Sequence, residues 1–142
     1  MAAIFGIDCV LNYKIDGQGG AGSWIELTNV TDVEFALEKN ESDATTRATG
    51  GWEAIKTGLK KGSVDFEIIW DLTDAGFQAF KDAFLDGNII GCQILDDSDE
   101  GLQADFEVVK FSRTEPLKEV VKASVTIKVA YSATPPSWLE AA

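Results

Sequence analysis

The sequence has no histidine, and among its 142 residues it has only two cysteines, three prolines and one methionine. The absence of histidine excludes a histidine-based catalytic triad, a histidine general base and a histidine metal ligand. Neither Cys9 nor Cys92 belongs to a CxxC pair, so the usual zinc and redox motifs are absent. Both lie in apolar, strand-like stretches, which predicts reduced, buried thiols, with a disulfide between them as the alternative. We therefore expect no enzyme and no cofactor.

The sequence also lacks a long hydrophobic run. No segment approaches the roughly 18–20 apolar residues that a membrane-spanning helix needs. The first eight residues contain no basic stretch followed by a long apolar core, which a signal peptide would have. The glycine-rich stretch 17–22 lacks the Lys-Ser/Thr and the helix that complete a phosphate-binding loop. We expect no membrane partner and synthesis in the cytoplasm.

Basic residues are scarce, with 12 against 24 acidic residues and a net charge of −12. Such a surface repels phosphate and disfavours stable binding of nucleic acid. Charge alone leaves two interpretations open, an ordinary acidic protein or a surface past which DNA slides without binding. Accidental pairs of carboxylates are expected at this acid content, so they do not indicate glycosidase chemistry. The Asp96–Glu100 cluster lacks the EF-hand spacing, so we expect a solvated hairpin turn, with a calcium site as the alternative, and predict no metal.

Apolar and polar residues alternate with a period of two through much of the chain, which predicts a mainly β protein. One stretch instead predicts a helix at about 73–86. Thr73 or Asp71 is the expected cap, three phenylalanines share one face, and a glycine ends it. The predicted strands cover residues 4–15, 23–38, 63–70, 88–95, 102–112 and 117–131, and the helical phenylalanines are Phe77, Phe80 and Phe84.

Two segments break the strand pattern. Residues 39–62 are polar with little alternation, and they carry five basic and three acidic residues, a net charge of +2 on an otherwise acidic chain. We predict a long loop there, and such loops are often functional. Residues 132–142 contain Pro135 and Pro136, which cannot donate to a ladder, and predict an extended arm with an apolar anchor. A single domain over residues 1–142 is expected.

Several segments together resemble the major tail tube proteins of long-tailed, non-contractile bacteriophages. The resemblance covers roughly residues 4–131, and its most specific part is the run 43–47 (Asp-Ala-Thr-Thr-Arg), then Trp52, then 58–60 (Gly-Leu-Lys). The segments that carry the resemblance are 24–33, 41–52, 58–66, 69–71 and 111–117. The resemblance implies a β-sandwich or barrel of about seven or eight strands with one flanking helix.

The resemblance also implies a structural role in the virion tail. Such proteins form hexameric rings that stack into a tube, with DNA passing through the lumen without specific binding, and their partners include a tape-measure (ruler) protein and a tail terminator. By resemblance the inter-ring candidates are Asp43, Thr45, Thr46, Arg47, Trp52, Lys60, Lys61 and Trp138. The candidates for lining the lumen are Asp8, Glu26 and Glu34.

Two alternatives to the tube subunit remain at this point. A relative with the same strand pattern would be a tail terminator or adaptor, a contractile-tail tube or a secretion-system tube. An unrelated β-sandwich binding module is the other, since exposed tryptophans stack on sugars. The tryptophans that would do so are Trp24, Trp52 and Trp138.

Overall fold

The computed structural model describes residues 3–4 and 6–140 and shows eight β-strands and one α-helix. A short 3₁₀ helix precedes the first strand at Gly6–Asp8 and another lies at Arg47–Thr49. The strands and the helix are β1 (Val10–Lys14), β2 (Ile25–Glu26), β3 (Val30–Asp43), β4 (Ile55–Ile69), α1 (Ala75–Asp86), β5 (Ile90–Leu95), β6 (Gly101–Thr114), β7 (Lys122–Val129) and β8 (Ser137–Leu139). The predicted mainly β fold with one helix is confirmed.

All eight strands form one antiparallel sheet in the order β2-β1-β5-β6-β7-β4-β3, with β8 paired to β6. Strand β6 joins the two halves, because its first residues pair with β5 and its last residues pair with β7, with an irregularity between Val108 and Lys110. The helix packs against both halves. Phe80 contacts Tyr13 of β1 and Phe66 of β4, at ring-centroid distances of 5.9 and 5.1 Å. The sheet must therefore curve around the helix, since these two strands lie near opposite ends of the strand order.

Local chemistry sets the ends of α1. Asp74 is the N-cap, and its carboxylate accepts a hydrogen bond from the Phe77 amide at 3.0 Å. The predicted caps were wrong, because the Asp71 side chain instead accepts bonds from Thr73 in the preceding turn. Gly87 closes the helix in the left-handed conformation, φ 70°, as predicted.

The core lies between the helix and the concave face of the sheet. Phe77 and Phe80 are fully buried, whereas Phe84 is 40% exposed and stacks on Phe111 at the margin. Cys92 is also fully buried, and this burial raises the pKa of its thiol. Cys9 is exposed, so the prediction of two buried thiols was wrong for this residue, and neither cysteine forms a disulfide.

The predicted loop at 39–62 is mostly strand. Residues 39–43 continue β3 and residues 55–62 belong to β4, so only 44–54 lies outside the ladder. The pairing runs from Leu37 opposite Gly62 to Asp43 opposite Ile55. These strands lack the expected alternation because nearly all residues on both faces are exposed, and a ribbon that covers no core needs no apolar face.

The C-terminal arm lies against the sheet and ends in a short strand. Ser137–Leu139 form β8 and pair with Gly101–Gln103 of β6. Before them, the side chain of Gln18 donates hydrogen bonds to the carbonyls of Thr134 and Pro135 at 3.0 and 3.3 Å. Two prolines precede β8 but do not enter it, which is why three residues can still pair. Residues 1–2, 5 and 141–142, which the predicted domain, first strand and arm included, lie outside the described residues.

Candidate assembly surfaces

Residues 39–62 form a projecting β-hairpin, called the hairpin arm below. The last pair, Asp43/Ile55, lies six positions along β3 from the base pair Leu37/Gly62, which at about 3.3 Å per residue carries the tip roughly 20 Å away from the body. The arm holds Lys39 directly opposite Lys60, a like-charge pair that destabilises a ladder unless an anion lies nearby. This geometry is typical of an element that completes its contacts on another molecule.

Side-chain hydrogen bonds shape the tip of the arm. Asp43 accepts the Thr45 amide at 2.9 Å, and the Thr45 hydroxyl accepts the Ala54 amide at 2.9 Å. The Thr46 side chain caps the 3₁₀ helix by accepting the Ala48 amide at 3.2 Å. The bonds from the Thr45 amide and hydroxyl hold the pKa of Asp43 below its usual value. Asp43, Thr45 and Thr46 therefore fix the shape of the tip.

The tip presents two further predicted contact residues to solvent. Arg47 lies in the 3₁₀ helix and Trp52 is 78% exposed, an unusual position for the largest apolar side chain. Lys60 and Lys61 lie further back, in the β4 strand of the arm. Trp138 is not part of this group. It lies on β8, where its indole N–H donates to Glu100 at 3.1 Å.

The three predicted lumen residues do not share one surface. Asp8 lies in the first 3₁₀ helix and Glu26 in β2 at one edge of the sheet, whereas Glu34 lies in β3 at the other edge. Glu34 is paired with Asp65, which accepts a hydrogen bond from Thr126 at 2.5 Å. These residues belong to a polar face of β3, β4, β7 and β6 that points away from α1.

Sequence reasoning missed most of this polar face. Its members alternate with buried residues such as Val64, Phe66 and Val125, so the period-two pattern was the signal that could have located it. The charged and hydroxyl residues on it include Glu34, Asp65, Glu67, Glu107, Lys110, Ser112, Lys122, Ser124, Thr126 and Lys128.

A cleft of about 980 Å³ lies where the two edges of the curved sheet approach each other. Its lining comes from the first 3₁₀ helix, β1, β2, β3, the β5–β6 turn and β8. Four acids line it and no basic residue does, among the residues the structure describes. The acids are Glu26, Asp32, Asp96 and Glu100, and the exposed apolar residues are Ile7, Val33 and Trp138.

The acidic turn 96–100 is organised by its own backbone. The Asp96 carboxylate accepts the amides of Ser98 and Glu100 at 2.8 and 3.1 Å, which is the hairpin turn expected between β5 and β6. Within residues 3–4 and 6–140, no group of three or more acids, cysteines or histidines is arranged to hold a metal ion. In the same residues no helix has the length and hydrophobicity to cross a membrane.

Comparison with known proteins identifies the family of this chain. The family model described as phage tail tube protein matches residues 4–133. The chain belongs to this family. As a tail tube protein it is a structural component of a phage tail, with a mainly β fold and one helix. No curated protein matches the sequence of the chain.

Solved tail, tail tube and baseplate structures have the same fold. The tail of the empty GTA particle, determined with C6 symmetry, is 17% identical, with 97% of this chain and 100% of that chain covered and a TM-score of 0.78. The SPP1 tail tube is 16% identical, with 89% and 76% covered and a TM-score of 0.72. The anti-feeding prophage baseplate is 8% identical, with 98% and 96% covered and a TM-score of 0.63. At these identities the similarity concerns the fold.

Proposed function

We propose that this tail tube protein assembles into hexameric rings, and that the rings stack through the hairpin arm into a conduit for DNA in a non-contractile tail. The arm is the observation that carries the proposal, because a ribbon projecting about 20 Å from the body has no role in the core of its own chain. The sixfold symmetry of a structure that covers 97% of this chain supports the ring.

The open edge of the sheet supports ring closure. Strand β3 is 14 residues long and ends the strand order, so one row of its backbone groups has no partner strand among the residues that the structure describes. Such an edge is prone to pair with another chain, and a closed ring leaves no edge exposed. In this proposal the polar face that includes Glu34 lines the lumen. Four acids and three lysines are among the described residues of this face, together with hydroxyl residues, and the chain as a whole has a net charge of −12, which disfavours stable binding of DNA. Asp8 and Glu26 lie outside that face, so we assign them no place in the lumen.

The remaining partners follow from a tube of defined length. A ring-stacking contact made head to tail produces an open filament, which has no intrinsic end. A tape-measure protein would set the length and a terminator would close the tube. We expect other proteins to set the length and close the tube, because the surfaces described for this chain suit contacts between copies of the chain.

Electron microscopy of the concentrated protein at raised salt, which screens its charge, tests the proposal. Hollow tubes of uniform width are expected from the wild-type chain. Arg47→Glu places a negative charge at the exposed tip and should shorten or abolish tubes while far-UV circular dichroism stays unchanged. Lys118→Glu is the matched control, since it makes the same charge change on an exposed residue outside the arm. Normal tubes from Arg47→Glu would contradict the stacking role of the arm.

A further inference from the structure

The hairpin arm carries the features of a group that inserts into a receptor site. Trp52 is 78% exposed, Ile55 58% and Leu59 78%, and these side chains belong to a segment with a net charge of +2. Tryptophan and arginine are enriched among the residues that anchor protein interfaces, and Trp52 and Arg47 both lie in the tip of the arm. The opposed pair Lys39 and Lys60 adds positive charge in the arm that acidic neighbours would relieve.

The cleft between the sheet edges has the complementary properties. It combines exposed apolar side chains, Ile7 at 92%, Val33 at 41% and Trp138 at 51%, with four carboxylates and no cation in its described lining. Its volume of about 980 Å³ is at the upper end of the range of pockets that bury a ligand.

The arm and the cleft are separate surfaces of one chain. None of the residues that line the cleft belongs to residues 39–62. A contact between two such different surfaces is heterologous, so it repeats from one copy to the next instead of closing a dimer. The arm's length of roughly 20 Å allows its tip to reach into a neighbouring molecule.

We propose that the hairpin arm of one chain seats in the acidic cleft of a second copy, with Trp52 as its apolar anchor. The inference rests on the proposed stacking function and deepens it, since it names the surface that receives the arm. The lysines along the strands of the arm complement the four carboxylates of the cleft, and the exposed apolar residues of the cleft receive Trp52. The tip itself carries one cation, Arg47, against Asp43 and Glu53, so the positive charge of the arm lies mainly on its strands.

A thiol cross-link tests this contact. Cys9 lines the cleft and is exposed, whereas Cys92 is fully buried, so the natural sequence already provides one reactive position in the cleft. The variant Glu53→Cys adds a thiol beside Trp52 and keeps the anchor intact. Treatment with a short bismaleimide in the assembly reaction should give dimers and longer linked chains, because the contact repeats from copy to copy, and mass spectrometry should find position 9 joined to position 53 of another molecule.

Two controls make the result specific. Glu53→Cys with Cys9→Ser should lose the dimer, and Leu117→Cys, at a position that is 97% exposed and outside the arm and the cleft, should not link to Cys9. In addition, Trp52→Ala should reduce the wild-type yield of tubes at least tenfold.

The outcomes separate this inference from the proposed function. Tubes without the 9–53 link, or with position 53 linked to a different peptide, would overturn the cleft as the receptor while leaving the tube intact. The absence of both tubes and links would overturn both. An intramolecular 9–53 link would show that the arm occupies its own cleft, which also contradicts the inference.

Discussion

At the residue scale, Asp105 connects parts of the chain that are far apart in sequence. The residue is only 4% exposed, and its carboxylate accepts hydrogen bonds from the Gln18 amide at 2.6 Å and from the Ser132 hydroxyl. Gln18 in turn holds the segment that leads to β8 through Thr134. This buried side chain of β6 thereby holds the glycine-rich turn, through Gln18, which is 87 residues away in sequence, and the C-terminal arm, through Ser132, which is 27 residues away.

Replacing Asp105 should lower the stability of the fold. Asp105→Ala leaves the Gln18 amide and the Ser132 hydroxyl without their acceptor in a buried site, at a cost of about 1–3 kcal/mol in the free energy of unfolding. Urea denaturation of the unassembled chain measures this loss. Asp97→Ala, in the exposed acidic turn, is the control and should change the free energy of unfolding by less than about 0.5 kcal/mol. Equal effects of the two substitutions would contradict the role of Asp105.

At the element scale, α1 is the piece on which the curved sheet closes. Its inner face touches β1 through Tyr13 and β4 through Phe66, and Trp70 packs on Phe77 at 4.9 Å. Aromatic side chains bury large areas and hold defined relative orientations. The helix therefore sets the curvature of the sheet and with it the width of the cleft between the sheet edges.

Phe80→Ala should destabilise the protein far more than Phe84→Ala. Phe80 is fully buried between Tyr13 and Phe66, so its removal leaves a cavity and costs about 3–5 kcal/mol. Phe84 is 40% exposed and contacts only the margin of the core, so its loss should cost less than half as much in the free energy of unfolding. Thermal or urea unfolding of the two variants provides the comparison. Comparable losses would show that the helix does not hold the sheet through its buried face.

The helix and most strands could be predicted because each buries one face. Phe77 and Phe80 repeat at helical spacing, and Val64, Phe66 and Ile68 alternate along β4, so the pattern reflects contacts that the core requires. The N-cap was misplaced because Asp71, Thr73 and Asp74 are all good caps, and only the geometry of the turn selects Asp74.

The arm and the cleft could not be located in the same way. The outer part of β3 and β4 covers no core, so Lys39 and Lys60 carry no periodic signal although they are paired. The polarity and charge of residues 39–62 marked the position of the arm in the sequence, but they did not predict that it forms a hairpin. The cleft depends on how far the sheet curves. This curvature places Val33, Leu95 and Trp138 around the same cleft, although they are far apart in sequence and share no periodic pattern.

At the scale of the whole molecule, the folding of the body does not depend on the arm. The body holds the complete hydrophobic core, and the hydrogen bonds of the arm's tip run between residues of the arm itself. The body should therefore fold without the outer arm. A chain of this kind retains the acidic cleft and lacks the group that would enter the next one.

Replacing residues 40–59 by Asn-Gly, so that the paired residues Lys39 and Lys60 flank the turn, should give a folded chain that stops tube growth. The two-residue turn suits a hairpin, so the core and the unfolding midpoint should change little. Added to wild-type protein at one part in ten, this chain should reduce mean tube length severalfold in electron micrographs. Its cleft binds the arm of a wild-type chain, but it has no arm that could bind the next chain. Unchanged lengths, with the variant absent from the tubes, would contradict this expectation. The Lys118→Glu chain, added at the same ratio, is the control.

The arm is also a mechanical element. A two-stranded ribbon without a core twists and bends more easily than the curved, helix-backed sheet from which it projects. Where such ribbons join one ring to the next, bending strain collects in the joints, and each ring keeps its shape and its bore. A tube built in this way combines a compliant axis with a stiff cross-section, so it curves under load without constricting the channel.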